Sequence, residues 1–151
     1  MSGTKLEDSA TGRSATQKAT NNAAWVMLAG GGTPGGATAV SSSSGNVANA
    51  SAAATLPAVA AKTNYLSGLI LTGAGATAAS VVTATVTGLL GGTMSITVAV
   101  PAGATASIVP VSLAFNPPLP ASAVNTAIVV TLPALGAGNT NASASAWGYV
   151  V

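Results

Sequence analysis

The chain has 151 residues, of which 49% are hydrophobic and only 4% are charged, with a formal net charge of +2 and no cysteine or histidine. This length suffices for one domain with its own core, and so small a positive charge does not indicate a nucleic-acid partner. The missing cysteine excludes disulfides and thiolate metal sites.

The charged residues are concentrated near the amino-terminal end. Five of them precede residue 19, Lys62 follows, and residues 63–151 carry no charged side chain. Apart from Met1, residues 1–22 contain one large apolar side chain, Leu6, which is too little to form a core. We therefore expect an extended arm that a neighbouring subunit holds in place.

The next segment connects this arm to the body of the protein. Residues 25–29 (WVMLA) are predicted to be either a short first strand or a hydrophobic plug on the arm. Residues 30–36 (GGGTPGG) predict a flexible joint, and residues 41–45 predict a second loop. These assignments divide the chain into an arm and joint over residues 1–45 and a folded domain over residues 46–151.

A β-hairpin is predicted over residues 80–100. Apolar residues occupy every second position in two runs separated by GLLGG at 88–92. They are Val82, Ala84 and Val86 in the first run and Met94, Ile96, Val98 and Val100 in the second. Strict alternation on both sides of a glycine-containing turn predicts an antiparallel hairpin with one buried face. The other face carries threonine and serine instead of charged residues.

Residues 64–72 predict a strand that is apolar on both faces. Alternation places Leu66 and Ile70 on one face and Tyr65, Leu69 and Leu71 on the other. A strand of this kind is expected at the centre of a sheet or at a subunit interface.

Further short strands are predicted over residues 47–56, 108–115, 126–132 and 142–151. Because Pro110 has no N–H, the second of these is expected at a sheet edge or a bulge. Residues 116–120 (NPPLP) predict a stiff, extended loop in which a cis peptide bond can occur. Seven or eight short strands separated by turns indicate an all-β protein, an antiparallel β-sandwich or jelly roll.

Candidates for chemistry are few. GAGATA at 73–78 resembles a dinucleotide-binding turn, but alternating strand residues follow it and no acid lies beyond Asp8, so a plain turn is predicted. The only acids, Glu7 and Asp8, lie on the polar arm. We therefore predict no catalytic, cofactor or metal site and no enzymatic activity. Lys62 is predicted to be a solvated loop residue or, alternatively, to pair with Glu7 or Asp8 of another subunit.

The other binding partners follow from hydropathy and from the aromatic residues. The most apolar window, residues 65–86, is interrupted by serine, threonine and glycine, so no membrane partner is predicted. Trp147 and Tyr149 share one face of the last predicted strand, opposite Gly148. They are either a stacking platform for a sugar or base, or anchors in a core or an interface.

A surface of neutral threonine, serine, asparagine, glycine and alanine costs little to desolvate and lacks the charges that keep sheet edges apart. We therefore expect a homo-oligomer, for example a trimer. The polar arm, the Val/Thr ladders and four short segments together resemble the small β-sandwich or jelly-roll virion proteins of tailed bacteriophages, which include capsid decoration proteins. The four segments are NYLSGL (64–69), FNPPL (115–119), IVV (128–130) and WGYV (147–150).

The resemblance implies a trimer on the outside of a capsid, in contact with the major capsid protein, with no catalytic residue or small-molecule substrate. The alternative within the same family is a tail or head-fibre module that attaches to host glycans through Tyr65, Trp147 or Tyr149. The residues predicted to contact another subunit or the capsid are Leu6, Arg13, Lys18, Trp25, Val26, Met27, Leu28 and Lys62.

Overall fold

A computed structural model describes residues 34–151 in full and, before residue 34, only the backbone of two short strands. These are β1 (Glu7–Asp8) and β2 (Arg13–Ser14), which pair antiparallel. The chain divides into two units, Met1–Ala37 and Thr38–Val151.

The second unit contains eight strands. They are β3 (Thr38–Ser43), β4 (Ala52–Leu56), β5 (Asn64–Ala74), β6 (Ser80–Thr87), β7 (Met94–Val100), β8 (Val111–Pro120), β9 (Ile128–Leu132) and β10 (Asn141–Val150). In the part of the chain that the structure describes, no helical segment has the length and hydrophobicity that crossing a bilayer requires.

The strands form two four-stranded antiparallel sheets, β3-β10-β5-β8 (sheet one) and β4-β9-β6-β7 (sheet two). The pairing is that of a long hairpin rolled on itself: β3 pairs with β10, β4 with β9, β5 with β8, and β6 with β7. Two further pairings, β5 with β10 and β6 with β9, complete the sheets. This is a jelly roll, which confirms the predicted all-β sandwich class.

The hydrophobic core lies between the two sheets. Every second residue of the interior strands points into it, because successive side chains of a strand face opposite sides of the sheet. The fully buried residues with the largest side chains include Leu66, Leu69 and Leu71 of β5 and Ile128, Val130 and Leu132 of β9. Small residues fill the inner face of β10, where Ala142, Ala144 and Ala146 are buried.

The hairpin predicted over residues 80–100 is confirmed as β6 and β7, the innermost hairpin of the roll. The register places Ala84 opposite Ile96 and Val86 opposite Met94, with no shift along seven pairs. Ala84 and Val86 are fully buried, whereas Thr83 and Thr97 on the outer face are exposed. The prediction succeeded because no bulge interrupts the alternation in either strand.

Predicted boundaries differ from the structure in several segments, among them the strand predicted from residue 108, which begins at Val111 and leaves Pro110 outside it. Residues 38–43, assigned by sequence to the joint and to a loop, form edge strand β3, so the second unit begins at Thr38 and not at residue 46. Residues 47–56 form a strand only from Ala52. Residues 116–120, predicted to be a loop, belong to β8, which tolerates proline because it is an edge strand, and the Asn116–Pro117 peptide bond is cis.

Candidate functional site

The outer face of sheet one carries the aromatic residues of the domain's last strand. In β10, the alanines at 142, 144 and 146 point into the core, so the alternating residues point outward. These outward residues are Ser143, Ser145, Trp147 and Tyr149. The prediction that Trp147 and Tyr149 share a face agrees with this alternation.

Tyr149 stacks on Tyr65 of the neighbouring strand β5. The two residues are direct register partners, and their ring centroids lie 4.9 Å apart with an interplanar angle of 17°. Tyr149 is only 7% exposed. Burial, and after it the neighbouring Tyr65, raises the pKa of the Tyr149 phenol above its ordinary value. The phenol therefore stays neutral at physiological pH.

A β-bulge at Ser67 makes this stack possible. Trp147 pairs with Gly68 and the next residue, Gly148, pairs with Leu66, so Ser67 is an extra residue on β5. Without it, strict alternation from Leu69 would turn Tyr65 toward the core and Leu66 outward. The bulge reverses both orientations, so the predicted division of faces, Leu66 with Ile70 and Tyr65 with Leu69 and Leu71, is wrong.

Glycines allow the aromatic rings and the backbone to approach at this bulge. A Cβ on Gly68 would collide with the Trp147 indole and would lie 2.8 Å from the Leu113 carbonyl oxygen. A Cβ on Gly148 would collide with the Tyr65 carbonyl oxygen. The indole therefore lies directly against the glycine of the neighbouring strand, and neither position accepts a side chain without movement.

Neutral hydroxyl groups surround the aromatic side chains. Trp147 pairs with Ser41 of the neighbouring strand β3. Two residues further along the same strands, Ser145 pairs with Ser43, and their hydroxyl groups are hydrogen-bonded at 3.0 Å. On the other side of β10, Ser145 pairs with Ile70 of β5, which is 38% exposed. We call this surface, formed by the outward residues of β3, β10 and β5, the aromatic face. It offers ring surface and hydroxyl groups but no charge.

An apolar cavity of about 220 Å³ lies at the end of the domain that holds the β6–β7 turn. It is lined by Leu89, Met94, Leu119, Pro120 and residues 91–93. Because no titratable side chain lines it, the cavity suits an apolar group and offers nothing for acid–base chemistry.

Most residues predicted to contact a subunit or a capsid fall outside the described part of the chain. Leu6, Lys18, Trp25, Val26, Met27 and Leu28 lie there, and Arg13 belongs to β2, for which only the backbone is described. Those contacts stay predictions.

Lys62 lies in the loop between β4 and β5 and is half-buried. Its backbone N–H donates to the Val59 carbonyl oxygen at 3.1 Å, and its own carbonyl oxygen accepts from the Asn125 N–H at 2.8 Å. The first bond lies within the β4–β5 loop, and the second joins this loop to the β8–β9 loop. The predicted pairing of its side chain with Glu7 or Asp8 of another subunit stays a prediction.

The dinucleotide-like sequence at 73–78 lies at the end of β5 and in the turn to β6, in agreement with the predicted strand-to-strand turn. Gly75 has a φ of +91°, which glycine adopts readily. No helix follows it before β6 begins at Ser80, so the helix N-terminus that a dinucleotide turn requires is missing from this place.

Comparisons with protein-family models, with curated proteins and with solved structures found no match.

Proposed function

We propose that this chain is a non-enzymatic structural protein of a tailed-phage virion, a capsid decoration protein that binds the outside of the shell as a homo-oligomer. One observation carries the proposal: the two sheets contain no charged residue, and within residues 34–151 the single charged residue is Lys62, in a loop. An ordinary domain surface is about a quarter to a third charged.

This neutrality favours burial of the outer faces against other protein surfaces. Threonine, serine and alanine lose little solvation when covered, whereas lysine and glutamate would have to lose a strongly bound hydration shell. The jelly roll is used by viral capsid proteins, but also by lectins and cupins. Since a fold does not specify a function, the proposal rests on the surface.

The proposed mechanism is the addition of contact area where capsid subunits meet. A specific interface of standard size buries roughly 1,600 Å², and repetition over a whole shell would oppose the internal pressure of the packaged DNA. In this proposal residues 1–22 reach the major capsid protein or a neighbouring copy, and residues 25–28 anchor that contact.

Deletion of residues 1–24 tests this role. We expect the truncated chain to lose binding to capsids while its circular dichroism spectrum keeps the β-sheet signal of the jelly roll. Co-sedimentation with capsids that lack the protein measures the occupancy. Occupancy equal to that of the full chain would contradict the proposed role of the arm.

A second candidate function is attachment to host glycans by a tail or head-fibre module, favoured by the aromatic face. Trp147, Tyr65 and the serines around them combine ring surface for stacking with hydroxyls for hydrogen bonds, the combination that suits a sugar. Copy number separates the two candidates, because a decoration protein occurs in hundreds of copies per particle and a tail module in a few. Titration of the chain with glycans, compared with Trp147→Ala, tests binding directly.

A further inference from the structure

The described jelly roll has four edge strands, β3, β4, β7 and β8. Three of them have a feature that hinders pairing with an added strand or joins them to the edge of the other sheet. Edge strand β8 contains Pro117, Pro118 and Pro120, which cannot donate to an added strand. The other edge of sheet one is β3, and β4 is an edge of sheet two. Ser42 of β3 accepts a hydrogen bond from the Thr55 N–H of β4 at 3.1 Å, so this contact links these two edge strands. Proline on an edge strand is one of the devices by which native proteins prevent edge-to-edge pairing.

Strand β7 (Met94–Val100) has none of these features. It pairs with β6 along seven consecutive residues without a shift, and no described strand pairs with its other side. It contains no proline, no charged residue and no bulge. In an antiparallel pair, alternate residues point their N–H and C=O groups away from the partner strand, so β7 presents a regular row of such groups at its free edge.

The inward side chains along this edge are incompletely covered. Val98 and Val100 are buried, but Met94 and Ile96 are only half-buried although they pack against the core. Met94 also lines the apolar cavity described above, together with Leu89 and Leu119. An additional strand beside β7 would therefore gain both main-chain hydrogen bonds and apolar contacts.

We infer that β7 pairs antiparallel with β7 of a second copy of this chain, about a two-fold axis at Thr97. The strand is self-complementary about that residue. Met94 would face Val100 of the second copy and Ile96 would face Val98, with apolar residues on the inner side, while Ser95 would face Ala99 on the outer side. Because neither strand carries a charge, no like charges face each other across the paired strands.

This pairing joins sheet two of one copy to sheet two of the second copy, which forms one continuous sheet of eight strands. It removes the free β7 edge of both copies. The inference deepens the proposed function, on which it rests for its premise that the chain self-associates. A two-fold contact alone yields a dimer, and combined with the predicted trimer contact it yields a hexamer when the two axes are perpendicular and intersect.

Lysine at position 97 tests the pairing in the full-length chain. In Thr97→Lys, two like charges would face each other across the axis, which destabilises a strand pair. We expect the self-association constant measured by sedimentation velocity to fall at least about tenfold, equal to about 1.4 kcal/mol. Thr83→Lys is the matched control: Thr83 is exposed and lies directly opposite Thr97, but on interior strand β6. We expect it to associate like the wild type.

A charge-swapped mixture makes the test independent of any folding defect. Thr97→Glu alone should also associate weakly, whereas an equimolar mixture with Thr97→Lys should regain association, because opposite charges then face each other. Wild-type association of Thr97→Lys, or no recovery in the mixture, would overturn the pairing, as would a wild-type chain that stays monomeric. Capsid occupancy of the same variants is measured separately, so the pairing can fail while the decoration function stands, and the reverse.

Discussion

Tyr149 of β10 stacks on Tyr65 of β5 because Ser67 is an extra residue in the strand between Leu66 and Gly68. The bulge shifts the pairing of β5 with β10 by one residue, which turns Tyr65 to the outer face and Leu66 into the core. A single inserted residue thus serves both the core and the aromatic face.

Gly148→Ala tests how closely the strands approach at this bulge. A Cβ at position 148 would collide with the Tyr65 carbonyl oxygen and lie 2.9 Å from its carbonyl carbon. Because the clash is with backbone and not with a flexible side chain, we expect the free energy of unfolding to fall by about 2–3 kcal/mol. Urea unfolding measures it. Gly91→Ala is the control, since no atom lies within 4 Å of its added Cβ, and equal stability of the two variants would contradict the prediction.

The sequence predicted the hairpin correctly and the face division of β5 incorrectly, for one physical reason. Alternation assigns faces only while the pairing register is continuous, as it is along β6 and β7. In β5 the register shifts at Ser67. The signal in the sequence was Gly68 inside a predicted strand, since an interior glycine often marks a bulge or a close approach of two backbones.

Strand β3 could not be predicted from its own residues. Its sequence, TAVSSS, contains one large apolar side chain, Val40, and its run of serines is typical of a loop. It is a strand because β10 supplies backbone partners along six residues. For the same reason the aromatic face could be suspected from Trp147 and Tyr149, but the participation of Tyr65 in a stack required the tertiary pairing.

The free energy of unfolding should decrease in alkaline solution because Tyr149 then loses its phenolic proton. Its pKa is raised in the folded state, so the folded chain holds this proton more tightly than the unfolded chain. This contribution to stability is complete below a pH of about 10, the ordinary tyrosine pKa, and is lost as the pH rises through the raised value. Urea midpoints at about pH 8 and about pH 11 measure the loss. We expect a smaller loss in Tyr149→Phe, and an identical pH dependence would refute the assignment.

Asn64→Leu should destabilise the end of the jelly roll where the β4–β5 and β8–β9 loops meet. The fully buried Asn64 amide nitrogen donates to the Pro57 carbonyl oxygen at 2.9 Å and to the Thr126 carbonyl oxygen at 2.8 Å. Leucine leaves both acceptors without this donor, so we expect a loss of about 2 kcal/mol in thermal or urea unfolding. The exposed Asn46 side chain also forms an amide hydrogen bond, and Asn46→Ala should cost less than about 0.5 kcal/mol. Equal losses would show that the burial of Asn64 is not the cause.

A single cysteine at position 97 should link two copies of the chain covalently. The chain has no cysteine of its own, so any disulfide in Thr97→Cys joins separate molecules. Directly opposed residues of an antiparallel pair have Cβ atoms about 4.5–5.5 Å apart, close to the separation that a disulfide spans. Under mild oxidation we expect a dimer band on non-reducing gels for Thr97→Cys and little for Thr83→Cys, which is also exposed but lies one strand away from the axis. Equal cross-linking of both variants would indicate random collision and would refute pairing through β7.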